Sequence, residues 1–399
     1  MKLKRLPEDF QVEELSDVAP QGGAFALYRL RKRSLGTPEA IAAIARRWRL
    51  PRRDIAYGGL KDRHALTTQF VTIRHGPRRS LRQTNLELVY LGQVARPFTP
   101  QDIRGNRFHL VLRDLSAAAL ARAEQALEEV KACGFPNYFD DQRFGSVGVS
   151  GEFVAQAWCR GDDERALWLA LAEPNRHDRP REREQKRLLR QHWGDWARCQ
   201  ALLAPSHRRS IVSYLAAHPG DFRGAMARLR ADLRGLYLAA WQSFLWNRLL
   251  AARLRQVCRP SQLVLVPLRV EAVPFYLTLD AAQRQALAAL PLPLPSARLH
   301  LPPGPLQALL QQVLAELGLE LRQLRLKSLR EPFFAKGERA AVVFPGELAA
   351  SHAPDELYPG RYRLTLDFTL PRGAYATLLV KRLTLAANRA AAPHSPREP

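Results

Sequence analysis

The sequence predicts an α+β protein whose core is split by a helical insertion. Three observations carry this reading. Strand-period alternation recurs through roughly the first 150 residues and returns near residue 330. Between them the character shifts toward helix, rich first in Arg and then in Pro. The last pattern is one strand followed by one helix, so the C-terminus completes the core.

In residues 1–150, the first part of the core, Phe10 and Val12 alternate with polar residues, and Phe25–Leu30 also has strand character. Thr37-Pro38-Glu39 supplies a helix cap, a Pro at the first helical position and an acid in the first turn; Ile41, Ile44 and Trp48 then share one face. A short strand, Ile55–Tyr57, ends in Gly58-Gly59. The polar loop GLKDRHALT follows, and Gln69–Arg74 begins another strand. Leu86–Leu91 and Arg107–Arg113 add two more, the second turning Phe108, Leu110 and Leu112 toward one side. Ser116 caps a helix carrying Leu120, Leu127 and Val130, which stops near Gly134.

Residues 151–330 read as the insertion. Within it, the charge-dense run Glu173–Arg190 is expected to be a solvated helix or a linker. Leu236–Val257 is a strong helix whose Leu238, Trp241, Leu245 and Leu249 form a core stripe, and Pro260–Pro305 suggests short strands and turns. Residues 331–385 return to the core: Tyr362, Leu364 and Leu366 alternate through Phe368, Leu370-Pro371-Arg372-Gly373 turns, and a helix runs from about Tyr375 to Leu385. The tail Ala386–Pro399 is expected to be disordered.

Composition narrows the functional classes. With 46% hydrophobic and 25% charged residues, the chain reads as soluble and globular. No apolar run reaches the about 18 residues a membrane span needs, and the charged start Met1–Arg5 has no apolar stretch behind it, so a cytoplasmic location is expected. Cys133, Cys159, Cys199 and Cys258 lie far apart, and the histidines have no metal-ligand spacing; neither a disulfide framework nor a metal site is expected. A phosphate-binding G-x-x-x-x-G-K-[ST] loop is absent from the sequence. The 61 Lys plus Arg against 38 Asp plus Glu give +23, which favours a polyanionic partner, RNA above all because arginine dominates and can both grip phosphate and stack on bases. A coding preference for Arg, spread over solvated faces, would produce the same surplus.

Two segments offer chemistry. In Gly58–Gln69, Lys61 and Arg63 set the Asp62 carboxylate between cations, as a nucleophilic carboxylate requires. Read alone, the segment is first a polar turn with a surface ion pair. In Phe135–Gly145, three aromatics interleave with Asn137 and Arg143, which suits a pocket for an unstacked base: rings offer stacking faces and the amide offers both donor and acceptor. The same rings could simply pin the loop to the core. A third segment, Leu3–Glu14, adds a cation and an aromatic on what is otherwise an ordinary edge strand.

Together and in this order, these segments resemble the tRNA pseudouridine synthase D (TruD) family. Its P-E-D-F-x-V-E-E, G-x-K-D-x-x-A-x-T-x-Q and N-Y-F-x-x-Q-R-F-G motifs are matched by Pro7–Glu14, Gly59–Gln69 and Asn137–Gly145, with weaker matches at Gly105–Phe108 and Leu370–Thr377. The resemblance implies a mixed, largely antiparallel pseudouridine synthase-type sheet interrupted by an inserted, mainly helical α/β domain. It implies Asp62 as the catalytic aspartate, Lys4 as its basic partner and Phe139 as the ring stacked on the target uracil. Phe10, Gln69 and Asn137 would line that pocket or hold its geometry, with Arg143 among the substrate-binding residues. Asp140 stands where many members carry Gly.

The implied reaction is the isomerisation of a uridine in tRNA, uridine 13 by the family's habit, by a monomer that needs no cofactor or metal. The competing class is a non-catalytic structured-RNA-binding or ribosome-associated protein, which would need the charge and the aromatics but not Asp62. A base-modifying transferase would require a donor site, for which the spacing of Gly145, Gly148 and Gly151 is a weak signal.

Overall fold

The structure, a computed structural model, describes residues 1–288, 291–326 and 334–388. It comprises two compact units, one made of Met1–Phe135 together with the segment from Val343 onward, the other of Pro136–Val342. The expected tail lies mostly outside the described residues, but its first three residues do not form a tail: the last helix spans Ala376–Asn388.

The first unit is built on a nine-stranded sheet. Its strands are β1 (Phe10–Leu15), β2 (Phe25–Arg33), β3 (Ile55–Tyr57), β4 (Leu66–Arg74), β5 (Leu81–Gln83), β6 (Leu86–Val94) and β7 (Gly105–Leu115), joined by two C-terminal strands, Gly346–Pro354 and Tyr362–Pro371. From one edge the order is Gly346–Pro354, Tyr362–Pro371, β7, β1, β4, β2, β6, β5, with β3 paired to β4. Only β1 and β4 run parallel; the other pairings in this sheet are antiparallel. This is the α+β fold with a largely antiparallel sheet.

The pleat explains who is inside. Phe108, Leu110 and Leu112 of β7 face the same buried side as their cross-strand partners Phe368, Leu366 and Leu364. Phe10 of β1 meets Phe108 edge-on at 6.4 Å, and Phe108 stacks on Phe368 at 5.3 Å, which makes an aromatic row across three strands. On β2 the alternation buries Tyr28, Leu30 and Lys32 while Arg29, Arg31 and Arg33 face outward. Helix α1 (Thr37–Trp48) lays Ala40, Ile41 and Ile44 on this part of the sheet. Helix α2 (Ala117–Cys133) packs beside the C-terminal helix and is capped as expected, the Ser116 hydroxyl accepting from the Ala119 amide.

Several boundaries differ from the sequence reading, and each difference has a tertiary cause. β4 starts at Leu66, not Gln69, because Leu66–Thr68 pair with Gln11–Glu13 of β1. Thr37 does not cap α1: Gly36 holds that position, its amide bonded to the Glu39 carboxylate at 3.0 Å, which frees the Thr37 hydroxyl for another partner. β5 and the strand Gly346–Pro354 carry little periodic signal and are recognised only by their pairing.

The segment before β1 is held by Arg113. Lys2 and Arg113 exchange backbone hydrogen bonds, and the buried Arg113 guanidinium binds Asp9 at 2.9 Å and Asp355 at 3.0 Å. Replacing Arg113 by Met leaves two buried carboxylates facing each other. That change is expected to destabilise the protein by about 3–5 kcal/mol, as breaking a buried ion pair does. Urea unfolding followed by circular dichroism checks it, a loss below about 1 kcal/mol being what a merely superficial pair would give.

The second unit is mainly helical. Residues 180–191 of the charge-dense run form a helix with Gln185, Lys186 and Leu189 buried, not a linker. It joins a bundle built on Leu167, Ile211, Val212, Leu215 and Met226. The long helix Ala231–Val257 buries Leu238, Trp241, Leu245 and Leu249 as expected. Beside it lie the hairpin Leu263–Pro267 with Ala272–Tyr276, and the helix Ala281–Ala288, which the Pro-rich reading missed. Among the described residues, no helix is long and apolar enough to cross a membrane.

Candidate active site

In the first unit, the loop between β3 and β4 begins with a closely packed glycine. A Cβ on Gly58 would lie 2.5 Å from Ile103 Cδ1 and 2.9 Å from Phe98 Cε1, so the backbone runs flat against those side chains. The rest of the loop is anchored through its main chain. Thr37 Oγ1 accepts from the Lys61 amide at 3.0 Å and donates to Gln69 Oε1 at 2.8 Å, while Gln69 Nε2 donates to the Gly59 carbonyl at 3.2 Å. The Lys32 ammonium donates to the carbonyls of Leu35 (2.6 Å), Asp62 (3.0 Å) and Lys61 (3.4 Å). Burial pushes the Lys32 amine down to about 8, against the partial support of the Asp62 charge.

Asp62 is left with its side chain 27% exposed and facing Lys4, whose Nζ donates to Oδ2 at 3.1 Å. Lys4 reaches this position from a left-handed backbone, φ 59°, and its ammonium sits 3.9 Å from the Phe10 ring centroid. A carboxylate, an ammonium and a ring face thus converge on one partly open point.

The cations adjacent to Asp62 in sequence do not form this arrangement. Lys61 turns to Glu14 at 2.9 Å and Asn106 at 2.5 Å, and Arg63 turns outward to Glu39 at 3.1 Å. The charges that matter come from Lys4 and Lys32, far away along the chain. Gln69 was expected to line the pocket or hold its geometry; it is fully buried and holds the loop.

In the second unit, Asn137, Phe139 and Arg143 are gathered together. Both faces of the Asn137 amide are engaged: Nδ2 donates to the Ala340 carbonyl at 2.9 Å and Oδ1 accepts from Arg339 at 2.6 Å. Asn137 therefore shapes its loop. The Phe139 backbone is clamped by the Asn247 amide, which donates to its carbonyl at 2.9 Å and accepts from its N–H at 2.8 Å. Its ring has the Arg339 guanidinium at 4.3 Å and the Arg143 guanidinium at 5.2 Å. Asp140 has φ −90°, a conformation open to any residue, so the loop does not require the Gly that many family members carry there. Elsewhere in this unit, Arg160, Arg223, Arg322 and Arg325 line a groove of about 670 Å³ together with Asp163 and Trp158.

Sequence reasoning missed Lys32, Thr37, Asn247 and Arg339. For Lys32 a signal existed: it continues the inward row Tyr28, Leu30, and a lysine on the buried face of a strand needs partners. For the others, nothing local marks the role.

The chain matches the model of the family described as tRNA pseudouridine synthase D (TruD) over residues 1–383. It belongs to that family. TruD proteins are isomerases. A "Probable tRNA pseudouridine synthase D 2" of Methanocaldococcus jannaschii is 31% identical over 395 residues, covering 96% of this chain and 92% of the relative. The tRNA pseudouridine synthase D of Aquifex aeolicus is 27% identical, with 96% and 98% covered. The crystal structure of a protein described as a TruD from Methanosarcina mazei matches with a TM-score of 0.70 at 25% identity, covering 96% of this chain and 93% of that one.

Proposed function

We propose that this TruD protein isomerises uridine 13 of tRNA to pseudouridine, with Asp62 as the catalytic carboxylate. The observation that carries the proposal is the Lys4–Asp62 pair: a carboxylate that is partly open to solvent, met by an ammonium at 3.1 Å, on a loop held by its backbone. Such an arrangement fixes where the carboxylate stands while part of it faces solvent.

The reaction breaks the bond between uracil N1 and ribose C1′, turns the base, and joins C5 to C1′ as the C5 proton passes to solvent and N1 takes up a proton in its place. It is redox-neutral and needs no second substrate. Asp62 assists departure of the base, Lys4 keeps the carboxylate aimed, and Phe10 supports Lys4 from below. The family resemblance supports Phe139 as the ring that stacks on the extruded uracil and Arg143 as a substrate-binding residue, and stacking of this kind offsets the few kcal/mol that unstacking a base costs. Gln69 and Asn137 hold the loops. The surplus of +23 and the arginine-lined groove of the second unit support RNA as the polyanionic substrate.

On this reading residues 1–150 and 331–385 form the catalytic core of a cytoplasmic monomer, and residues 151–330 are the inserted domain. Mapping pseudouridines in the host's tRNA, with and without the gene, tests the proposal. Loss of the modification at uridine 13, restored by the wild-type gene, is expected. A change at another position only would overturn the choice of uridine, and an unchanged map would overturn the activity.

A further inference from the structure

We propose that Lys32 is a positioning residue for the reaction: its buried ammonium group fixes the main chain that carries Asp62. This rests on the reading of Asp62 as the catalytic carboxylate. Lys32 is 1% exposed, and its three hydrogen-bond acceptors are main-chain carbonyls, those of Leu35, Lys61 and Asp62. It ties the turn that leads into α1 to the loop that bears Asp62. One residue is thus gripped at both ends by cations, its carbonyl by Lys32 and its carboxylate by Lys4.

Packing alone does not explain a lysine here. Burying an ammonium that lacks a carboxylate in direct contact is unfavourable, and Met would fill the same inward position beside Tyr28 and Leu30 without that penalty. The charged groups facing Lys32 are Asp62 and Lys61 on the loop and Glu39 on α1; Asp62 and Glu39 favour the ammonium form and Lys61 opposes it. The balance places its loss of charge near pH 8. The ammonium is present below that pH and lost above it, so the grip on the loop weakens as pH rises.

The test measures single-turnover tritium release from tRNA labelled at uracil C5, for the wild type, Lys32→Met, Lys32→Arg and Asp62→Asn. Lys32→Met is expected to lower the rate about 100-fold, the scale of a small misplacement of a reacting group, with tRNA affinity unchanged. In the wild type the rate should fall above about pH 8. In Lys32→Arg, whose guanidinium keeps its charge, activity should be largely retained and the alkaline fall should move to higher pH. That comparison decides the matter even if Lys32→Met does not fold. A wild-type rate in Lys32→Met, or an unmoved alkaline limb in Lys32→Arg, overturns the inference. With Asp62→Asn inactive, such results remove the role of Lys32 alone; an active Asp62→Asn removes both readings.

Discussion

Replacing Asp62 by Asn should give a protein that melts with the wild type, binds tRNA comparably, and forms pseudouridine at least roughly 10⁴-fold more slowly, as loss of a catalytic nucleophile does elsewhere. The substitution keeps the shape and removes only the charge. The loop does not depend on that carboxylate for its path, because Thr37, Gln69 and Lys32 bind its backbone. The ion pair with Lys4 is about a quarter exposed on each side, so its loss removes under about 1 kcal/mol of stability. Tritium release together with thermal denaturation separates the two effects. A variant that turns over within tenfold of the wild type would sink the assignment.

Lys4→Met carries the second large effect. Methionine preserves an apolar stem against Phe10 but removes the ammonium that lies 3.1 Å from Asp62 and 3.9 Å from the ring centroid. The single-turnover rate should fall roughly 10²- to 10³-fold, the range for deleting one preorganised electrostatic contact, while tRNA affinity and melting temperature stay close to wild type. Lys4→Arg should recover part of the rate. If instead affinity collapses and the rate at saturating tRNA is normal, Lys4 is a phosphate contact and not the partner of Asp62.

How much of this could be read from the chain depended on whether the cause was local. The inward rows Phe108, Leu110, Leu112 and Leu364, Leu366, Phe368 announce themselves because a pleated strand imposes a period of two. The stripe on Ala231–Val257 does so through helical spacing. The parallel pairing of β1 with β4, and the start of β4 at Leu66, depend on contacts between distant segments, which no local period encodes. At the site, adjacency misled: Lys61 and Arg63 flank Asp62 in sequence and serve Glu14 and Glu39 in space. The pairing of Lys4 with Asp62 was anticipated through family resemblance, since a residue 58 positions away leaves no local trace. Thr37 matched a cap signal and was drawn instead to Gln69, a tertiary hydrogen bond overriding a propensity.

The strand Tyr362–Pro371 is a neighbour of β7 in the sheet, yet the two are separated by the whole of the second unit. The entropy of closing so long a loop grows only logarithmically, adding about 3 kcal/mol over a short connection, so the interruption is thermodynamically tolerable. Its consequence is temporal. On the ribosome β7 emerges with one side unpaired and waits until the whole of Pro136–Val342 has been made before its permanent partner arrives. The nascent chain therefore presents a sticky, half-made edge throughout that interval, while the second unit can already condense, and the scaffold beneath Asp62 closes only afterwards.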